Sequence, residues 1–336
     1  ISSHSWLLFY GHYFMKKIAL IYMGGTFGCI GEPLSPMPEI DFKPQLKRIL
    51  PQHVHIDFFT AHTIKDSSAC TASDWLQLIQ QIQDLKTQEY QHFIIIHGTD
   101  TLSYAAATLS QFLQHSTHVI FTASQYPLLN VEGNDLRTFT DALENLNTAI
   151  EGIVHVNPGV YVAFHHKIMH ASSVQKIHTT ELDAFSGIGY QQHSAHFEQD
   201  PFLIKDQHIQ KIQKLNLINW TMQPIELEQF SKNLNLLIDQ APHILILQGY
   251  GVGNIAVNDE LIKKLIQLQS YNCAVILDTQ VPFGGLDQRY AVSQWVKQAN
   301  ILINNTQSHA DLYAKILKMY LQYPSADQWH DHWYQH

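Results

Sequence analysis

The chain has 336 residues, 45% of them hydrophobic and 15% charged, enough apolar material for a large core and a length that favours about two domains, which excludes a disordered chain. Twenty Lys and Arg against 29 Asp and Glu leave a net charge of −9, the wrong sign for a nucleic-acid binder. Three cysteines, Cys29, Cys70 and Cys273, lie far apart and in no CxxC unit, which is the thiol usage of a reducing compartment and makes a cytoplasmic protein the expectation.

Residues Ile1 to Phe14 precede a plausible start at Met15, have no clear periodicity and are left out of the fold reading. The apolar run Ile18 to Met23 is far shorter than the roughly 20 residues of a membrane span, so no membrane partner is expected. From there, β-branched runs alternate with helix-length segments. Lys17 to Met23, Asp57 to Ala61, Phe93 to His97, Val119 to Ala123 and Gly152 to Val156 read as strands. Ala72 to Leu85, capped by Thr71 or Ser73, Leu102 to Leu113 and Glu132 to Ile150 have helical spacing. The alternation predicts an α/β fold with a mostly parallel sheet flanked by helices, which takes ligands at the carboxyl ends of its strands.

A polar, His- and Gln-rich stretch interrupts this rhythm. The expected organisation is an N-terminal α/β domain over 15–190, a linker over 191–222, and a smaller C-terminal α/β domain over 223–336. In the last of these, His243 to Leu247, Ala274 to Asp278 and Ile301 to Asn304 read as strands. Val257 to Leu268, Tyr290 to Gln298 and Ala310 to Leu321 read as helices. The 22 histidines include His53 with His55, His165 with His166, and His330, His332 and His336, but no HExxH accompanies them. They are expected on the surface or satisfied in the core, with no metal site.

Three strand ends carry hydroxyls. Tyr22-Met23-Gly24-Gly25-Thr26-Phe27-Gly28 is a glycine-rich turn that fits neither GxxxxGK[ST] nor GxGxxG, and reads either as a tight turn or as a setting for an accessible Thr26 nucleophile. His97-Gly98-Thr99-Asp100-Thr101 places a hydroxyl beside a carboxylate. Thr101 is the better placed cap for the following helix, which leaves Thr99 and Asp100 free. Asp66-Ser67-Ser68 is either a solvated turn or a site for the ammonium and carboxylate of an amino acid. A threonine that attacks an amide needs a base or a lowered pKa, and Lys176 and Lys167 are both candidates.

Together these pieces resemble the bacterial asparaginase family, and within it the cytoplasmic type I branch. Tyr22 to Gly28 is similar to the first signature of that family, His97 to Thr101 matches the HGTDT second signature, and Asp66-Ser67-Ser68 with Asp74-Trp75 is similar to the type I DSS…DW segment. Thr122-Ala123-Ser124-Gln125 with Pro127-Leu128, Lys176 through Asp183-Ala184-Phe185, Tyr250 to Asn254, and Thr279-Gln280 extend the match to most of the chain.

The resemblance implies hydrolysis of L-asparagine to L-aspartate and ammonia, with glutamine a further substrate because one methylene is weakly discriminated. It implies Thr26 as nucleophile, and Thr99, Asp100 and Lys176 as a second triad. Lys176 is chosen over Lys167 because it lies in the block that leads to Asp-Ala-Phe. Asp66 and Ser67 would hold the substrate's amino and carboxylate groups. Gly25, Gly98, Ala123 and Asn254 would line the substrate site, with backbone NH groups near Thr99 and Ala123 as oxyanion hole. The family implies no metal or organic cofactor, a small amino-acid substrate as partner, and a homodimer or homotetramer.

Two departures stand out. The loop Cys29 to Pro38 lacks the tyrosine that in the family commonly helps activate the nucleophile, and Val281 stands where some type I enzymes have a regulatory cysteine. The altered loop keeps two other readings open: a hydrolase of another small amide, and a non-catalytic amino-acid-binding sensor.

Overall fold

A computed structural model describes residues 16–192, 200–286 and 293–335. The first part of the chain runs β1 (Ile18–Tyr22), β2 (Cys29–Ile30), β3 (Ser35–Pro36), α1 (Glu39–Ile49), β4 (Ile56–Thr60), α2 (Ala72–Lys86) and β5 (His92–Ile96). It continues through α3 (Leu102–Leu113), β6 (His118–Thr122), α4 (Ala142–Gly152), β7 (Gly159–Phe164), β8 (Lys167–His170), β9 (Gln175–Lys176) and β10 (Phe185–Ser186). The main sheet has the order β4-β1-β5-β6-β7-β8, parallel except for β8.

Its central strands are buried on both faces, which is why they read as unbroken apolar runs. Ala19 and Ile21 of β1 pack under α2 and α3, while Ile18, Leu20 and Tyr22 pack under α1 and α4.

The second part comprises α5 (Asp206–Ile212), β11 (Leu217–Thr221), α6 (Leu227–Asp239), β12 (Ile244–Gly249), α7 (Asp259–Ser270), β13 (Ala274–Thr279), α8 (Ser293–Gln298), β14 (Leu302–Ile303), α9 (His309–Gln322) and α10 (Ala326–His332). Its sheet, β11-β12-β13-β14, is wholly parallel. Helix α9 joins the two halves, with Leu312, Ile316 and Met319 in the core beneath the second sheet and Leu317 and Leu321 in the core of the first. Ala107 on α3 meets Ala310 and Ala314, small residues that let α3 and α9 approach closely.

The mixed α/β fold agrees with the sequence reading, and three elements depart from it. Gly152 to Val156 is not a strand. The helical spacing of Leu146, Ala149, Ile150 and Ile153 carries α4 through Gly152, and the strand begins after Pro158, at Gly159. Nor does a helix span Glu132 to Ile150. Its first ten residues form turns, because the Asn130 carboxamide bonds the backbone of Asn134 and Asp135 in place of a helical ladder, with Gly133 at φ 72°. The stretch 191–222 is not a bare linker either, since it holds α5, whose Ile209 and Ile212 join the first core, and the edge strand β11. Of the expected helix Tyr290 to Gln298, Tyr290 to Val292 lie outside the described residues, as does His336.

At the opposite end of the main sheet from the glycine turns, His92 and His118 are cross-strand neighbours with rings stacked 4.5 Å apart. Burial, reinforced by His118 and Lys16, pushes the His92 imidazole down to about 4. An unfolded histidine takes up its proton near pH 6.5, whereas folded His92 resists until about 4, so stability is lost as pH falls through that window. His92→Gln is expected to lose less stability than the wild type between pH 7 and 4.5 in urea unfolding. Equal losses would show that this pair does not set the acid limit.

Candidate active site

The carboxyl ends of β1, β5 and β6 bring the two signature loops together. Beyond β1 the Met23 N–H still donates to the Ile96 carbonyl at 2.9 Å, and beyond β5 the His97 N–H donates to the Thr122 carbonyl at 2.9 Å. Gly24 and Gly25 then turn the chain with φ of 101° and 83°, a region that favours glycine. Gly25 lies against Gly98 so closely that a Cβ on it would stand 2.4 Å from the Gly98 Cα. Thr26 opens the short 3-10 turn Thr26–Gly28 and is half-buried, with no hydrogen bond to its hydroxyl among the described residues.

Thr99 is only 7% exposed, and its Oγ1 accepts a hydrogen bond of 2.9 Å from the Lys176 ammonium. The same Nζ donates to Asp100 Oδ1 at 2.9 Å. Lys176 thus reaches Thr99 and Asp100 from a strand 77 residues further along the chain. The structure separates the two lysine candidates: Lys167 pairs with Asp183 on the surface.

The Asp66 segment closes the other side. Ser67, buried, accepts the Asp100 N–H on Oγ at 3.2 Å and the Thr101 hydroxyl on its carbonyl at 2.7 Å. Thr101 therefore stands at the N-cap position of α3, yet its hydroxyl holds Ser67 instead of capping the helix. Hydrogen bonds from the Ser68 hydroxyl and backbone N–H hold the Asp66 carboxyl below the usual carboxylate range, so it is an anion at neutral pH.

Asp74, which the sequence reading used only as a motif letter, anchors this segment. It caps α2 reciprocally with Thr71 and accepts bonds from Lys65 and Thr63. Burial pushes its carboxyl up, but the bonds from Lys65 and Thr71 outweigh that and keep it below its usual range. The Thr-x-x-Asp spacing before an apolar run was a legible signal for it.

His97 was likewise missed as a structural part. Its Nδ1–H donates to the Gly98 carbonyl at 2.8 Å and its Nε2 accepts the Trp75 indole N–H at 3.3 Å, which fixes one neutral tautomer. Burial lowers its pKa to about 4, in keeping with that state.

Ala123, fully buried, directly follows β6, whose last residue Thr122 accepts the His97 N–H. Asn254 makes no hydrogen bond to this cluster among the described residues. It closes the turn after β12 by exchanging backbone hydrogen bonds with Tyr250, on the other sheet. The loop from Cys29 to Pro38 is a small hairpin of β2 and β3, tied down by Gly31 N–H to the Val131 carbonyl and Met37 N–H to the Gly28 carbonyl. No tyrosine lies in it. Among the described residues no group of three or more His, Cys, Asp or Glu is arranged to hold a metal, and no helix is long and apolar enough to cross a membrane.

Known proteins resemble this chain in sequence and in fold. The chain is 28% identical over 247 residues to an L-asparaginase of Thermococcus kodakarensis, covering 70% of this chain and 71% of that protein. To L-asparaginase 1 of Escherichia coli it is 25% identical over 308 residues, 85% and 86% of the two chains. A glutamyl-tRNA(Gln) amidotransferase polypeptide of Haloquadratum walsbyi is 25% identical, covering 86% of this chain and 67% of that one. In fold, the solved structure of a thermostable L-asparaginase from Thermococcus kodakarensis superposes with a TM-score of 0.78 at 22% identity, over 94% of this chain and 96% of that one. A family model described as Asparaginase, N-terminal, matches residues 17–210, more than half of the chain, and the protein therefore belongs to the asparaginase family, amidohydrolases that act on linear amides.

Proposed function

We propose that the protein hydrolyses L-asparagine to L-aspartate and ammonia, with Thr26 as nucleophile. The observation that carries this reading is the single lysine nitrogen shared by Thr99 Oγ1 and Asp100 Oδ1, an amine poised on a buried hydroxyl beside a glycine-framed threonine. Asp66, ionised, and Ser67 would receive the substrate's ammonium and carboxylate.

In the first half-reaction Thr26 Oγ1 bonds to the side-chain amide carbon. The step takes Lys176 as the neutral amine: the Thr26 proton passes through Thr99 Oγ1 to Lys176 Nζ and from there to the departing nitrogen. The carbon–nitrogen bond breaks and ammonia leaves. Backbone NH groups near Thr99 and Ala123 would stabilise the developing oxyanion. Water, deprotonated through the same pair, then attacks the β-aspartyl ester and frees Thr26 and aspartate.

A second reading, another amide donor such as glutamine, draws on the hairpin without tyrosine and on the amidotransferase relative. Steady ammonia release from L-asparagine by the purified protein, abolished in Thr26→Ala, is the expected result. Release from glutamine but not asparagine would select the second reading, and tight asparagine binding without any release would point to a sensor.

A further inference from the structure

The position of the Lys176 amine depends on a weakly built element, since β9 is two residues long and among the described residues pairs as a strand with β10 alone. The hairpin between them, residues 177–184, is organised at its tip from within by His178, whose Nδ1 accepts the Thr180 and Glu181 N–H groups at 3.3 and 3.0 Å, and is tied to the rest of the domain there by the Gln125 side chain. The Gln125 carboxamide donates to the Thr179 carbonyl at 3.2 Å and the Glu181 carbonyl at 3.0 Å. An ion pair between Lys167 and Asp183 grips the same hairpin, but both partners are half exposed and such pairs contribute little.

Gln125 is itself fixed by a buried polar network. Its backbone N–H donates to both oxygens of Asp141, at 3.1 and 2.9 Å, and the Tyr126 N–H donates to Oδ1 at 3.0 Å. Asp141 is 4% exposed and takes a further bond of 3.0 Å from the Asn145 carboxamide. Asn145, 1% exposed, also donates to the Ala123 carbonyl at 3.0 Å, and its Oδ1 accepts the His165 N–H of the β7–β8 turn at 2.8 Å. A buried carboxylate is costly unless hydrogen bonds compensate it, and here every described partner is an N–H from the segment after β6 or from Asn145. Core packing alone would not need a charge at this place.

We propose that Asp141, Asn145 and Gln125 are positioning residues that set the Lys176 amine against Thr99 and fix the Ala123 turn in the same frame. One end of the network touches the candidate oxyanion segment and the other the hairpin that carries the lysine, so a single helix end aligns two parts of the site. This inference rests on the catalytic reading of Lys176.

Gln125→Glu tests it in the full chain, because it keeps the side chain's shape and replaces two donors by a carboxylate facing two carbonyls. Amide exchange across 177–184 is expected to quicken about tenfold. Acetylation of Lys176 by a labelled reagent should rise severalfold. Ammonia release should fall roughly 10- to 100-fold in kcat, with KM within about threefold and little change in melting temperature. Unchanged exchange in 177–184 would overturn the clamp whatever the substrate, and faster exchange with unchanged kcat would overturn the positioning role. If the wild type releases no ammonia from L-asparagine, the substrate assignment fails on its own, while exchange and acetylation still decide whether the network holds Lys176.

Discussion

Lys176→Met is expected to lower kcat for ammonia release by roughly 10²- to 10⁴-fold, the range associated with losing a general acid–base group. The reason is geometric. The amine stands 2.9 Å from both Thr99 Oγ1 and Asp100 Oδ1, and it is the group through which Thr99 can gain or lose a proton. Thr99→Ala is expected to cost a similar factor. Groups that act as a unit are not additive, so the Lys176→Met/Thr99→Ala double variant should be about as slow as either single one. If the two losses multiply, or Lys176→Met stays within about threefold of the wild type, the lysine and threonine do not form one proton-handling unit. Substrate affinity is expected to change less than kcat in either variant, because Asp66 is held by Ser68, and Ser67 by the Asp100 backbone N–H and the Thr101 hydroxyl, none of which either substitution removes.

The sequence makes these strand ends of the main sheet legible because β1 and β5 are largely apolar runs that stop abruptly at the glycine-bearing turns Gly24-Gly25 and Gly98. Thr26, Thr99 and Asp100 emerge at such ends, Asp66 and Ser67 follow the less regular β4, and the structure brings these segments together. Lys176 was ambiguous with Lys167 for a physical reason: its partners are 76 and 77 residues away, a distance over which local periodicity carries no information. The family blocks, not the spacing, chose between them.

Other parts stayed hidden for local reasons. Helix α6 buries Phe230, Ser231 and Leu234 but leaves Leu236 largely exposed, so its apolar stripe is blurred. Edge strand β11, Leu-Ile-Asn-Trp-Thr, has only partly buried or exposed positions and reads like part of a polar connection. The turns ahead of α4 are set by Asn130 and Asp141 side chains bonding the backbone, a competition that helical spacing does not register.

The second large effect is expected at the contact between the two signature loops. Gly25→Ala would place a methyl 2.4 Å from the Gly98 Cα and 2.6 Å from the Gly98 nitrogen, at a φ of 83° that L side chains rarely adopt. Both opposing atoms are backbone, so no rotamer change can relieve the collision. The loops must separate, and Thr26 moves away from Thr99 and Lys176. Gly98→Ala would meet Ser67 instead, 2.5 Å from its Oγ and 2.7 Å from its Cβ, displacing the side chain that accepts the Asp100 N–H. A misplacement of about an ångström is expected to cost on the order of 100-fold in kcat, and Gly25→Ala should add a drop in stability from its strained backbone. Gly189→Ala is the matched control, since a Cβ there meets nothing within 4 Å, and it should leave both quantities within experimental scatter. Near-wild-type turnover in Gly25→Ala would mean that the close approach of the two loops is not what aligns Thr26 with the lysine-bearing triad.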